Sequence, residues 1–378
     1  MTKRRIKLGM IGGGHSAFIG IVHRIASYMG EQYSLVGGAF DADFTRSKDF
    51  AETLELDSGR VYESIDNLID AESQLPEGEK MEVVVIVTPN FLHYSMAKKL
   101  ILAGFHVICE KPVTTTYAEA LDLAKLLEQC KTEFCLTHTY TGYPMVRQMK
   151  SMINEGLIGA IQKVDAQYYQ GWINPVIHDK EKRATVWRLD PEKAGASCCM
   201  GDIGVHAFNM IEYTTGLKVK RLLSDINTLY EDNPLDVDGT ALLRLDHSVR
   251  GIVRASQIAT AEENNLSIAV YGDRGGLKWE QENPNYLYYL RENEPQKVLK
   301  PGNLYNSEFA EESTKLAAGH PEGIFDAMGN IYNGMAKAIR GESYRAGAFP
   351  TIQDGLRGMN FIEKVLESAA KGNIWVQF

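Results

Sequence analysis

Cysteine is scarce in this 378-residue chain: five residues, an odd number, with no C-x-x-C spacing. Such usage supports neither a disulfide framework nor a zinc site, so no metal is expected, and it suits reduced thiols in a cytoplasmic protein. Long apolar stretches are missing too. The longest aliphatic run, Val83–Val87, is far below the ~20 residues that cross a bilayer. The basic start Met1–Arg5 leads into a segment broken by Lys7 and Gly9, not into an apolar core with a cleavage site. No secretory leader and no membrane partner are expected. Positive charge is in deficit: 40 Lys+Arg against 49 Asp+Glu give −9, and no basic block relieves it. Nucleic acid is therefore not an expected partner, and small molecules are. Repeats and low-complexity segments are lacking, and the length suggests about two domains.

What the chain does have, in its first third, is alternation. Lys7–Ile11 reads as a strand, followed by a helical stripe of Phe18, Ile21, Val22, Ile25 and Met29. Leu35–Phe40 is a second apolar stretch, and Glu82–Val87 is the Val/Ile run of a parallel strand covered on both faces. Ala97, Leu100 and Ile101 form a short helical face that stops at Gly104. Phe105–Cys109 and Phe134–Thr137 resume strands, with a capping box at Thr116 and Glu119 starting the helix between them. Glu82–Val87 is counted as the fourth strand and Phe105–Cys109 as the fifth. Such alternation implies right-handed crossovers and a doubly wound parallel sheet.

The pattern changes near residues 137–144. Pro144 opens a helix with Met145, Met149, Met152 and Ile153 on one face, closed by Gly156. Short strands and turns fill residues 219–290, with Leu266, Ile268 and Val270 sharing a face and a turn at Gly272–Gly276. Helices return near Ile324–Ile339 and Gln353–Ala370. The expected fold class is α/β: an N-terminal Rossmann domain (1–137), then a C-terminal α+β domain (138–378) with a large, open, mostly antiparallel sheet. An open sheet face invites self-association, as a dimer or a tetramer.

Gly12-Gly13-Gly14-His15-Ser16-Ala17 fits G-x-G-x-x-A between a strand and a helix. Gly12 permits the tight turn, Gly14 lets amides approach a pyrophosphate, and Ala17 allows close helix–strand packing. With His15 and Ser16, these residues are the expected dinucleotide contacts. Asp41, after the second strand, would hold ribose hydroxyls and favour NAD, whereas nearby Arg46 would hold the 2′-phosphate of NADP. NAD is the expected cofactor, with NADP the alternative.

Three further segments narrow the reading. Val87-Thr88-Pro89-Asn90-Phe91-Leu92-His93 follows one strand, Glu110-Lys111-Pro112 follows the next, and Gly201-Asp202-Ile203-Gly204-Val205-His206-Ala207-Phe208-Asn209 lies in the second domain. With the glycine turn, in this order and spacing, they resemble the glucose–fructose oxidoreductase / inositol dehydrogenase / rhizopine-catabolism (Gfo/Idh/MocA) family along essentially the whole chain. The resemblance implies a two-domain NAD(P)-dependent oxidoreductase acting on sugars, cyclitols or their derivatives. It implies that Lys111, Asp202 and His206 surround the reacting carbinol, and that Thr88, Pro89, Asn90, His93, Glu110 and Lys111 lie along the nicotinamide ribose. The family's last motif position is commonly Asp; here it is Asn209.

Oxidising a carbinol requires a base for the hydroxyl proton as the hydride leaves. On a helix, Asp202, His206 and Asn209 at i, i+4 and i+7 would share one face. His206 is the natural proton acceptor, with Lys111 stabilising developing negative charge and Asp202 orienting the hydroxyl or the imidazole. Lys111 is the alternative base, and Asp202 could also be an N-cap. His138 and Tyr140 end the last expected Rossmann strand. Trp172, Trp187 and Arg188 suit stacking on a sugar face and binding its hydroxyls. With Asn209, these five are the expected substrate contacts. Other classes remain open: NAD-assisted cleavage of a glycoside without net NADH, and a nucleotide-sensing regulator.

Overall fold

The computed structural model describes residues 4–15 and 17–378. They form two compact units, and the first takes residues through Thr114, then Ala118–Thr139 and Ile324–Leu356. The second takes Thr115–Tyr117, Tyr140–Gly323 and Arg357–Phe378. The units are thus discontinuous in sequence, unlike a single cut at residue 137. The reason is packing: Met328, Ile331, Tyr332 and Met335 of the helix Ile324–Ile339 join the core cluster of Val22, Ala26, Val83 and Val85.

In the first unit, β1 (Ile6–Gly12), β2 (Tyr33–Ala39), β3 (Val83–Val87), β4 (His106–Cys109) and β5 (Phe134–Leu136) form a parallel sheet. Their order is β2-β1-β3-β4-β5. Every residue of β3 is buried, which explains its unbroken Val/Ile run; each such side chain contributes roughly 1.5–3 kcal/mol. The strands counted as fourth and fifth are therefore the third and fourth. Between β2 and β3 the chain makes helices Phe44–Thr53 and Ile65–Ser73, capped by the Asp43 and Ser64 side chains. Val61 forms a single bridge to Gly38 there and no strand.

The helix Phe18–Tyr28 also departs from its apolar stripe. Phe18 is 74% exposed, and Ile21, Ile25 and Tyr28 reach solvent, while Gly20, Val22, His23, Ala26 and Ser27 face inward. Small residues are required on that face: a Cβ on Gly20 would collide with the Gly13 backbone. Strand order reverses between β1 and β3, and ligands of such sheets bind outside the carboxyl ends of the strands at that switch point.

The second unit holds β6 (Ile161–Tyr169), β7 (Val219–Asn227), β8 (Asp238–Leu245), β9 (Arg250–Ser256), β10 (Asn265–Gly272), β11 (Gly276–Glu280), β12 (Leu287–Leu290), β13 (Lys297–Leu299) and β14 (Val376–Gln377). They pair in the order β13-β12-β11-β10-β6-β9-β8-β7-β14. All neighbours are antiparallel except β6 and β9. Sequence reading passed over β6, yet its period-two pattern is plain: Val164, Ala166 and Tyr168 point inward. Leu266, Ile268 and Val270 of β10 do the same. The helix Val205–Thr215, buried along its whole length, packs on β6, β9 and β10. The opposite face presents Lys163, Gln167, Leu242, Arg244, Arg250 and Ile252, all exposed or half-buried. Among the described residues no helix is long and apolar enough to cross a membrane, and no His/Cys/Asp/Glu group is placed to hold a metal.

Candidate active site

The nucleotide half begins where β1 ends. Gly12 and Gly13 have φ of +77° and +73°, which side-chain-bearing residues rarely adopt. A Cβ on Gly12 would collide with the Val87 carbonyl, and one on Gly14 would lie 2.8 Å from the Phe40 carbonyl. Ala17 N–H donates to the Gly14 carbonyl at 3.1 Å and opens the helix Phe18–Tyr28. Arg24 on that helix donates to the Gly13 carbonyl at 2.7 Å and so ties down the turn. A bare-backbone cradle at a helix N-terminus fits the pyrophosphate of a dinucleotide. His15 is exposed, its ring edge-on to Phe50 at 4.8 Å. Ser16 lies outside the described residues.

Asp41 stands beside this cradle. Its Oδ2 is 3.0 Å from Arg46 Nη2, and its Oδ1 accepts from Asp43 N–H at 3.0 Å. The carboxylate and guanidinium expected to compete for the ribose are thus paired with each other.

Thr88 and Pro89 leave the end of β3, and Asn90 begins a short 3-10 turn. His93 is fully buried, with Nδ1 2.7 Å from the Pro112 carbonyl and Nε2 2.9 Å from the Thr88 carbonyl. Burial holds this imidazole below its usual range, so the neutral ring satisfies one carbonyl at a time. Its role in the fold is to tie the two turns together. Lys111 is half-buried at the end of β4, and its peptide bond to Pro112 is cis. The Glu110 side chain turns inward, accepting from the Thr137 hydroxyl at 2.5 Å and from His23 Nε2 at 3.0 Å. His138 is buried one residue beyond Thr137; burial, then the charge of Lys111, pushes it down to about 3, so it is neutral.

The other candidates lie in the second unit. Met200–Gly204 is a π-helical turn that runs into the α-helix Val205–Thr215. The single α-helical face expected for Asp202, His206 and Asn209 is therefore corrected: Asp202 sits in the wider turn, and His206 and Asn209 are on the α-helix. Buried Asp236 sets this geometry, accepting from Cys198 N–H at 3.0 Å and Met200 N–H at 2.7 Å. Ser197 Oγ adds a bond from Gly201 N–H at 2.9 Å. Such π turns recur at functional sites.

Asp202 does not cap the helix. Its Oδ2 accepts from Gln257 Nε2 at 3.0 Å and lies 3.3 Å from Arg188 Nε. The Cys198 thiol holds Gln257 in turn, donating to Oε1 at 3.0 Å. The Arg188 guanidinium lies 4.5 Å over the Trp187 ring and 5.9 Å over Trp172. Beneath this segment, Ile173, Ile177, Leu189, Cys198, Leu235 and Val237 form a small core of their own. Trp172, Trp187, Arg188 and Asp202 are thus one cluster.

His206 is buried, with the Tyr140 ring edge-on at 4.9 Å and Tyr168 at 6.1 Å. The two tyrosine hydroxyls are 2.5 Å apart, and Tyr168 donates onward to Asn264 Oδ1, which also accepts from Gln170 at 2.8 Å. Burial pushes the Tyr168 phenol well up, so it stays protonated. Asn209 is buried one turn along the helix. Gln257, Asp236, Tyr168 and Asn264 were missed in the sequence. Only Tyr168 had a signal, the alternation of β6.

Residues 6–138 match the model of an oxidoreductase family with an NAD-binding Rossmann fold, and residues 146–278 match the GFO/IDH/MocA C-terminal domain. The whole chain is 32% identical to an uncharacterized oxidoreductase, YfiI, of Bacillus subtilis (strain 168), and covers 98% of it. It is 24% identical to levoglucosan dehydrogenase of Pseudarthrobacter phenanthrenivorans, over 99% of this chain and 98% of that one. Among solved structures, an inositol dehydrogenase homolog from Azotobacter vinelandii, complexed with NADH and myo-inositol, aligns with a TM-score of 0.90. That alignment has 30% identity and covers 99% of this chain and 98% of the other.

Proposed function

The chain belongs to the GFO/IDH/MocA family of NAD-binding oxidoreductases acting on CH–OH groups, and on that premise we propose that it oxidises a secondary hydroxyl of a sugar, glycoside or cyclitol. The observation that carries this reading is the anchoring of Asp202. Its carboxylate is held by Gln257 and Arg188 beside two tryptophan faces, an arrangement suited to a polyhydroxylated ring. Bound NAD supplies the hydride acceptor. Lys111 donates a hydrogen bond to the carbinol oxygen as negative charge develops there. His206 takes the hydroxyl proton, and its ring is fixed against Tyr140. Asp202 orients the substrate hydroxyl. Trp172, Trp187, Arg188, Tyr140, His138 and Asn209 line the substrate.

The glycine turn, with Thr88, Asn90 and Lys111, is assigned to the cofactor. Asp41 beside the turn supports NAD, and its ion-pair partner Arg46 is the group that a 2′-phosphate would draw away. Residues 1–137 form the nucleotide domain in this reading, joined by Ile324–Leu356. Residues 138–378 otherwise bind substrate and self-associate through the open sheet face. The free thiols, four of the five buried, support a cytoplasmic location.

The test is a panel of myo-inositol, levoglucosan, free sugars and glycosides with NAD and NADP, reading reduced nicotinamide and released sugar together. NADH formed with an oxidised ring is the expected result. Free sugar without net NADH would show glycoside cleavage instead, and tight NAD binding with no turnover of any compound would contradict the dehydrogenase reading.

A further inference from the structure

The Glu110 carboxylate, adjacent in sequence to Lys111, is enclosed by groups from several elements of the first unit. His23 of the helix Phe18–Tyr28 reaches it through Nε2 at 3.0 Å, and the Thr137 hydroxyl at 2.5 Å. Lys111 N–H approaches Oε2 at 3.3 Å. Behind His23, Nδ1 lies 2.7 Å from the hydroxyl of Tyr332 on the helix Ile324–Ile339. Tyr33 donates to the Tyr332 carbonyl at 2.8 Å, so that helix is pinned as well. Both His23 and Tyr332 are fully buried. The remaining titratable neighbours that interact with Glu110 are Lys111, His93, His138, Cys109 and Cys135.

The hydrogen count gives this chain a direction. An ionised carboxylate accepts only, so His23 Nε2 carries a hydrogen. Burial pushes the Tyr332 phenol well up, so it keeps its proton and can donate to Nδ1, which selects that tautomer. Burial pushes the Glu110 carboxyl up, but His23, Thr137 and Lys111 outweigh it and hold it below the usual carboxylate range. A fold does not need this: apolar side chains filling such a space are often as stable as a desolvated charge.

We propose that His23 and Tyr332 are positioning residues that hold Glu110 as a carboxylate of fixed orientation beside Lys111. Tyr332 selects the His23 tautomer, His23 fixes Glu110, and Glu110 fixes the field at the lysine. The functional consequence rests on Lys111 acting at the carbinol.

The test needs no substrate. In the NAD-loaded protein labelled with carbon-13 at glutamate Cδ, the Glu110 resonance is assigned by its loss in Glu110→Gln and titrated. His23→Leu raises the pH of its protonation by about one unit or more, and Tyr332→Phe by less. His23→Gln, which keeps an N–H donor, restores most of the wild-type value. Unchanged Glu110 titration in His23→Leu and Tyr332→Phe, with only a lower melting temperature, would overturn the proposal. Retained turnover in Lys111→Met would instead fault the catalytic reading and leave the Glu110 titration as predicted.

Discussion

The candidate residues of the two units are positioned by different means. In the first unit the residues proposed to hold the nucleotide sit where parallel strands end, and backbone sets their positions: Gly12–Gly14 at the end of β1, Thr88–Asn90 after β3, Glu110–Lys111 after β4. In the second unit Asp202 is placed by side chains drawn from distant segments, Gln257 after β9, Arg188 from the 3-10 turn Trp187–Leu189, and Asp236 before β8. A site made of strand ends tolerates change except where backbone must pass close. A site made of side chains depends on every member of its network.

That contrast is broken or sharpened by four substitutions. The largest effect is expected in the second unit: His206→Asn lowers turnover about 1000-fold, the scale of a lost general base. NADH affinity, measured by fluorescence titration, stays within about twofold if the halves are independent. Next is Gly12→Ala, which places a methyl at φ +77° against the Val87 carbonyl. Calorimetry should show NAD binding weakened about 100-fold, ~2.7 kcal/mol. Equal loss of both functions in either variant would erase the distinction.

The gap in legibility between the halves has the same cause. A glycine turn, a Val/Ile strand and Glu-Lys-Pro are contiguous strings, and local chemistry dictates what they do; β1, β3 and β4 fell where the pattern put them. Gln257 and Asn264 meet Asp202 and Tyr168 only after a nine-stranded sheet has formed. No spacing announces such partners. The π turn was equally hidden, since it depends on Asp236 taking two backbone N–H groups across more than thirty residues of chain. The helix Phe18–Tyr28 misled for a further reason. Its apolar stripe is partly solvent-facing, because Gly20 and Ala26 are what allow close packing.

Gln257→Leu tests the network itself. Removing the donor loses one hydrogen bond to the charged Asp202, at about 2 kcal/mol, so kcat/KM falls about 30-fold while NAD affinity holds. The smallest effect concerns acid sensitivity in the first unit. The folded His138 protonates only near pH 3, whereas an unfolded histidine does so near its ordinary 6.5. On acidification the unfolded state takes up that proton first, so stability is intact above about pH 6.5 and falls as pH drops toward 3. Between pH 7 and 5.5 the loss from this group is about 1 kcal/mol. His138→Asn should remove that share of the slope in urea-unfolding series, while burial still lowers His93 and His106 and keeps the remainder.

The central claim is that the proposed base His206 takes the hydroxyl proton while the hydride goes to NAD. Its most direct test is deuterium transfer from the carbinol carbon of the best panel substrate to the nicotinamide, followed in single turnover for the wild type and His206→Asn. The account predicts one deuterium per NADH formed, and a step slowed about 1000-fold in the variant with NADH binding unchanged. Deuterium appearing in solvent, or variant turnover within twofold of wild type, would contradict it.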